Sequence, residues 1–239
     1  MISKKILKLF VLFIIGMVGG IFADQIFWPY FIEKPLFQEY RLEKTPIYVT
    51  EREEITISEN EALEKRIEKV EDAIVGVKTV SKSGYVSEGS GLIVTSDGLL
   101  VVLNNLILEG SSFSFYIYGE KVVGQVLKRD IKENLALVKI EKNNLPTVSF
   151  ANFDKLKIGK RIFLIGAIFE EGTAKKIVNE GIVKYFNTDL IQTSIVESKK
   201  LAGSSLFDID GNVWGINEIS DTGEVNAIPV SKIKTFIGF

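Results

Sequence analysis

The stretch Gly89-Ser90-Gly91-Leu92-Ile93-Val94-Thr95-Ser96-Asp97-Gly98-Leu99-Leu100-Val101-Val102-Leu103 reads as two short strands joined by a tight turn. The apolar runs Gly91–Val94 and Leu99–Leu103 flank Thr95-Ser96-Asp97-Gly98, which places glycine where a hairpin needs a positive φ. Outward from this hairpin the same pattern recurs. Runs rich in Val, Ile and Phe occur at Ala73–Val80, Phe113–Tyr118, Val122–Leu127, Leu135–Ile140 and Ile162–Ile165. Others follow at Lys176–Tyr185, Leu190–Thr193, Val213–Ile219 and Val225–Ile228, and Asp208-Ile209-Asp210-Gly211 supplies a second glycine turn. About a dozen short strands without helices between them predict an all-β barrel or sandwich rather than a βαβ sheet.

Before the strands, Ser58-Glu59-Asn60-Glu61 has the form of a capping box. Leu63, Ile67, Val70 and Ile74 follow at helical spacing, predicting a short amphipathic helix from Glu59 to Glu71. Ser231 to Phe236 reads as a short closing helix. Prolines at 29, 35 and 46 make the region ahead of Ser58 a linker rather than one long helix.

The N-terminus carries Lys4, Lys5 and Lys8 ahead of the uncharged apolar run Leu9–Ala23. Snorkelling of Lys8 and the interfacial aromatics Phe27, Trp28, Tyr30 and Phe31 extend this run toward the ~30 Å of a hydrocarbon core. It is read as a signal anchor or transmembrane helix over 1–32, followed by a linker over 33–57 and a globular domain over 58–239. Cleavage after Ile21-Phe22-Ala23, a poor small-x-small site, is the alternative. Either way the lysines stay cytoplasmic and the domain is extracytoplasmic, in a periplasm or outside the cell.

A net charge of -2 offers no global basic field for nucleic acid. The chain has neither Cys nor His, which removes disulfides, thiolate chemistry and the commonest general base and zinc ligand. No metal and no cofactor are expected.

Several segments carry a resemblance. Gly89 to Gly98 resembles the GSG-hydrophobic-SxDG segment of HtrA/Deg serine proteases, and Asp130 to Ile140 resembles their D-x-x-x-D-L-A-V-L-K-I. Leu156 to Gly166, Gly181-Ile182-Val183, Ile191-Gln192-Thr193, Leu206 to Asn217 and Ala227-Ile228-Pro229 resemble further family motifs in the family's order. The chain thus resembles the HtrA/Deg, trypsin-like family, which implies a double six-stranded β-barrel. No PDZ domain is expected, because no sequence is left for one after the barrel, and the resemblance implies a homo-trimer as the assembly.

The resemblance also says where a catalytic triad should sit. The histidine position falls on Asn105, the aspartate on Asn134 and the serine on Ala202. The family mechanism needs a nucleophilic hydroxyl, an imidazole base and a carboxylate that orients it. Amides and a methyl group supply none of these, a loss of roughly 10^6 in turnover, or about 8 kcal/mol. The oxyanion-hole region Lys200, Leu201 and Ala202 departs too, because Lys200 stands where the family has glycine. The expected protein is a pseudoprotease that binds a polypeptide or protein partner, adding it as a strand to a sheet edge. An enzyme acting through other residues, and a structural scaffold, are the alternatives.

Other motifs have blander readings. Ser204 and Ser205 near Lys199 and Lys200 could form a Ser–Lys dyad, but read as a polar surface turn. Asp208-x-Asp210-Gly211 lacks the remaining spacing of a calcium loop and reads as a hairpin turn. Glu170, Glu171 and Glu180 near Lys175 and Lys176 read as solvated charges. Phe113, Phe115 and Phe150 read as core, with a ligand groove as the alternative.

Overall fold

The computed structural model describes residues 4–25, 61 and 63–239, and it divides into two compact units, Met1–Ile57 and Ser58–Phe239. In the first unit, helix α1 (Lys4–Phe22) belongs to a 20-residue apolar span, Ile6–Gln25, with a mean hydropathy of 2.5 and no buried residues. By length and composition this span can cross a membrane. The expected linker over 33–57 and the capping box at Ser58 lie outside the described residues.

The second unit opens with helix α2, described at 61 and over 63–70. Leu63, Ile67 and Val70 lay its apolar face on the core. Ile74, which continues the helical spacing in sequence, instead begins strand β1 (Ile74–Val80) after the tight turn Glu71–Ala73.

The first lobe contains β1, β2 (Val86–Ile93), β3 (Leu99–Leu103), β4 (Ser112–Ile117), β5 (Glu120–Val122), β6 (Gly124–Asp130) and β7 (Leu135–Ile140). They form one sheet in the order β5-β4-β1-β2-β3-β7-β6. The β2–β3 turn is as predicted: Gly98 has φ +98°, and a Cβ there would stand 2.4 Å from the Ile140 carbonyl oxygen. Thr95 Oγ1 accepts the Leu99 N–H at 3.1 Å and holds the turn.

The second lobe contains β8 (Ser149–Phe150), β9 (Arg161–Glu170), β10 (Thr173–Phe186), β11 (Ile191–Val196), β12 (Ser205–Asp208), β13 (Asn212–Ile219) and β14 (Glu224–Pro229). Six of them run β12-β9-β10-β11-β14-β13, and a β12–β13 pairing closes the ring, with β8 added on β13. Helix α3 (Val230–Ile237) follows and ends on Gly238 at φ +88°.

The architecture is all-β and trypsin-like, with one adjustment to the double six-stranded barrel. The second lobe is a closed six-stranded barrel, whereas the first is a curled half-barrel whose end strands β5 and β6 share no ladder. The apolar run over 122–127 is split, because the chain turns at Val123 and Gly124 packs directly on the core. A Cβ at Gly124 would lie 2.6 Å from Val138 and 2.9 Å from Phe115.

The β9–β10 hairpin is longer than its apolar run suggests. Glu171 and Gly172 both have positive φ, the requirement of a two-residue turn matched to strand twist, and Glu170 pairs with Lys175 at 2.5 Å across it. The Asp208 turn is built around a buried carboxylate. Asp208 Oδ1 accepts from the N–H groups of Asp210 and Asn212, both at 3.0 Å, and Oδ2 accepts from Trp214 Nε1 at 2.9 Å. These donors are its own hairpin, so the motif is a turn and its carboxylate has its partners. Phe115 is fully buried and meets Phe113 edge-on in the first lobe, while Phe150 faces Phe239 elsewhere. The three do not share a groove.

Candidate functional site

The end of β3 passes into a tight turn, Asn104–Leu106, which presents Asn105 to solvent. This turn is fastened to the loop before β7. Asn134 donates nothing to it but accepts twice: its carbonyl oxygen takes the Asn104 N–H and its side-chain Oδ1 takes the Asn105 N–H, both at 2.9 Å. Asn134 sits at φ +52°, a left-handed conformation that asparagine tolerates better than most residues. Its Nδ2 donates to Glu218 Oε1 at 2.6 Å, which ties the first lobe to the end of β13. Arg129 Nη1 completes the frame by donating to Asn104 Oδ1 at 2.6 Å.

Ala202 comes from the opposite lobe. Ser198 caps a tight turn over Lys199–Leu201, and Ala202 ends it. The Ala202 carbonyl accepts the Ser90 N–H at 2.9 Å. The Ser90 hydroxyl in turn accepts the Ala167 N–H at 2.8 Å, so one buried serine stitches both lobes. Gly89, Gly166 and Gly203 make this approach fit. A Cβ at Gly89 would lie 2.6 Å from the Ala202 carbonyl, and one at Gly203 would lie 2.2 Å from the Ser90 carbonyl.

Between these walls runs a cleft of about 440 Å³ lined by Tyr85, Val86, Ser87, Glu88, Asn105, Leu106, Lys199, Lys200, Ala202 and Ile219. The structure therefore brings Asn105 and Ala202 to one cleft and places Asn134 directly behind Asn105. Lys200 lines the cleft as well, while Leu201 is buried beneath it.

The main chain of the Lys199–Ala202 turn is turned inward on itself. Ala202 N–H donates to the Lys199 carbonyl at 3.0 Å and Leu201 N–H to the Ser198 carbonyl at 2.9 Å. Lys200 N–H makes a long contact of 3.4 Å to Ser198 Oγ. An oxyanion hole requires such donors aimed at the reacting atom; here they face the turn's own acceptors.

Ser204 and Ser205 are fully buried, with Ser204 Oγ accepting from Asn217 Nδ2 at 2.9 Å. Lys199 and Lys200 are exposed, and Lys199 bonds Asp221. That hydrogen bond and the ammonium's charge hold the Asp221 carboxyl below its ordinary range. The serines and lysines thus face different environments. Lys176, from the charged β9–β10 hairpin, reaches across to the carbonyls of Glu71, at 2.7 Å, and Ile74. Desolvation lowers its pKa to about 8, against the raising influence of Asp72 and Glu71.

Glu218, Arg129 and Ser90 were not legible as site residues. Each acts through a partner in a distant segment, and only the GSG pattern hinted that Ser90 is closely packed.

Two antiparallel β lobes meeting at a cleft, with the cleft carried on inter-strand turns, define a trypsin-like peptidase fold. Residues 83–216 match the trypsin-like peptidase domain, and the chain belongs to that family, in its HtrA/Deg branch. Relatives include probable periplasmic DegP-like serine endoproteases. That of Pseudomonas fulva is 29% identical over 55% of this chain and 29% of its own length. The one of Chlamydia pneumoniae is 31% identical over 54% of this chain and 28% of its own. Serine protease HTRA1A of Danio rerio is 28% identical over 72% of this chain and 40% of its length. The chain thus spans well under half the length of these relatives. A solved HtrA-type protease, AlgW in a serine-to-alanine form with a tripeptide, superimposes with a TM-score of 0.64 at 25% identity, covering 72% of this chain and 61% of that one.

Proposed function

We propose that this protein is a proteolytically inactive HtrA-like domain, tethered to a membrane by its N-terminal helix, that holds extended polypeptides in the inter-lobe cleft. The observation that carries this reading is the meeting of Asn105, Asn134 and Ala202 around that cleft in a chain with no histidine. At those three positions there is neither a nucleophilic hydroxyl nor an imidazole base. The inward-facing N–H groups of the Lys199–Ala202 turn add to it.

A peptide-binding edge is supported by strand parity. Asn217 donates its N–H to the Ser204 carbonyl and accepts from the Gly203 N–H, both at 2.8 Å. Two residues on, Ile219 directs its own main-chain groups to the same side, and it lines the cleft. A peptide added there would extend the sheet. The solved relative described with a tripeptide, itself a serine-to-alanine form, fits this reading.

The domain assignment follows: a single-pass anchor over 1–32, a linker over 33–57 and an extracytoplasmic binding domain over 58–239. The apolar span Ile6–Gln25 and the periplasmic relatives support that location. Assembly as a homo-trimer rests on the family resemblance.

Fluorescence anisotropy, followed over time with labelled unfolded polypeptides and the full chain in detergent micelles, tests the reading. A stable rise is expected. A steady decline below the starting value, surviving a contaminant check, means cleavage and overturns inactivity. A flat trace at high protein concentration leaves a scaffold.

A further inference from the structure

The cleft carries one unmatched charge. Glu88 pairs with Lys78 at 3.0 Å, and Lys199 is bonded to Asp221. Lys200 has no hydrogen bond or ion pair from its ammonium among the described residues, although its charge helps to lower the Glu170 carboxyl's pKa. The side-chain amide of Asn105, on the facing lobe, has no hydrogen-bond partner among the described residues either. The remaining lining is apolar or uncharged: Tyr85, Val86, Ser87, Leu106, Ala202 and Ile219.

We infer that the cleft selects polypeptides presenting a carboxylate to Lys200, with Asn105 Nδ2 as a second donor. This inference rests on the reading of the cleft as a polypeptide site and names the chemistry it prefers. The reason lies in the turn itself. Main-chain N–H groups facing inward cannot take an anion, and Lys199 is engaged by Asp221, so the unpaired ammonium among the described residues of the cleft is the one that lysine adds at position 200. A cation in a cleft of mixed polar and apolar lining favours an anionic partner over a neutral one and penalises a cationic one. The carboxylate has two sources, an Asp or Glu side chain and the chain's own C-terminal carboxylate. Tyr85, 72% exposed at the cleft mouth, provides an aromatic surface for the flanking residue.

Four labelled octapeptides of one apolar sequence separate the outcomes, each titrated by anisotropy against the full chain in detergent micelles. One has a free C-terminus, one is amidated, one is amidated with a central Glu, and one is amidated with a central Lys. Carboxylate-bearing peptides are expected to bind roughly 2–5-fold tighter than the amidated neutral one, the range of one exposed ion pair. Preference for the free acid alone assigns the C-terminal carboxylate; preference for the central Glu assigns the side chain. Lys200→Glu is expected to reverse the preference toward the Lys peptide, and Lys200→Arg to keep it. Equal binding of all four, or a preference unchanged in Lys200→Glu, overturns the carboxylate assignment while leaving polypeptide binding standing. No binding by any of them overturns both.

Discussion

Asn134 Oδ1 accepts the backbone N–H of Asn105 at 2.9 Å, so the two residues are joined through main chain and not through their side-chain ends. The Asn105 amide is thereby left facing the cleft, while Asn134 acts as a bracket for the turn that carries it. Its other end is anchored on Glu218 at 2.6 Å.

This bracket makes a prediction about stability. Asn134→Ala removes both side-chain bonds and leaves at φ +52° a residue that tolerates the left-handed region less well than asparagine. A cost of about 2–3 kcal/mol is expected. Asn134→Gly removes the same bonds without the strain and should cost about 1 kcal/mol less. Thermal unfolding of the two variants checks the difference.

Rebuilding the three side chains should not rebuild a protease. The variant Asn105→His, Asn134→Asp, Ala202→Ser supplies the chemical groups, yet Lys200, Leu201 and Ala202 still aim their N–H groups into their own turn. Cleavage of a fluorogenic polypeptide by this variant is expected to match the unsubstituted chain. A clear rise would show that the turn rearranges when substrate binds.

The lobe junction has little room. Gly203→Ala adds a Cβ 2.2 Å from the Ser90 carbonyl at a residue with φ +81°. Overpacking and a left-handed alanine together are expected to cost about 3 kcal/mol or more. Chemical denaturation should show the midpoint falling sharply, with peptide binding lost in parallel as the Ser90–Ala202 contact opens.

Lys176 gives a pH dependence of known sign. Its pKa in the folded chain is lowered to about 8 by burial, below the unfolded value, so the unfolded chain binds more protons between the two. The cost of burying the charge is present in full below about pH 8 and is relieved as pH rises toward the unfolded pKa. Stability contributed by this site therefore increases from pH 8 to 10. Lys176→Met should flatten that part of the profile, read as the difference between the two proteins' unfolding curves.

Much of the fold was readable one residue type at a time. Val, Ile and Phe runs marked most strands, and Gly98 and Gly211 marked hairpins that both have positive φ in the structure. Strand β12, Ser205–Asp208, was missed because it is buried on both faces and carries no alternation. The extra length of β9 and β10 was missed because their outer ends mix charged and apolar residues in a ribbon that stands partly in solvent.

By itself, the sequence determined the all-β character, the apolar N-terminal span and the absence of histidine, since these follow from composition and short-range pattern. Tertiary structure alone decided that one barrel closes and the other stays open, because closure depends on ladders between strands far apart in the chain. It also decided that the N–H groups around Ala202 face inward and that Lys200 is the unmatched charge in the cleft. Those outcomes depend on which distant carbonyls and carboxylates come within hydrogen-bond reach, and local pattern carries no record of that.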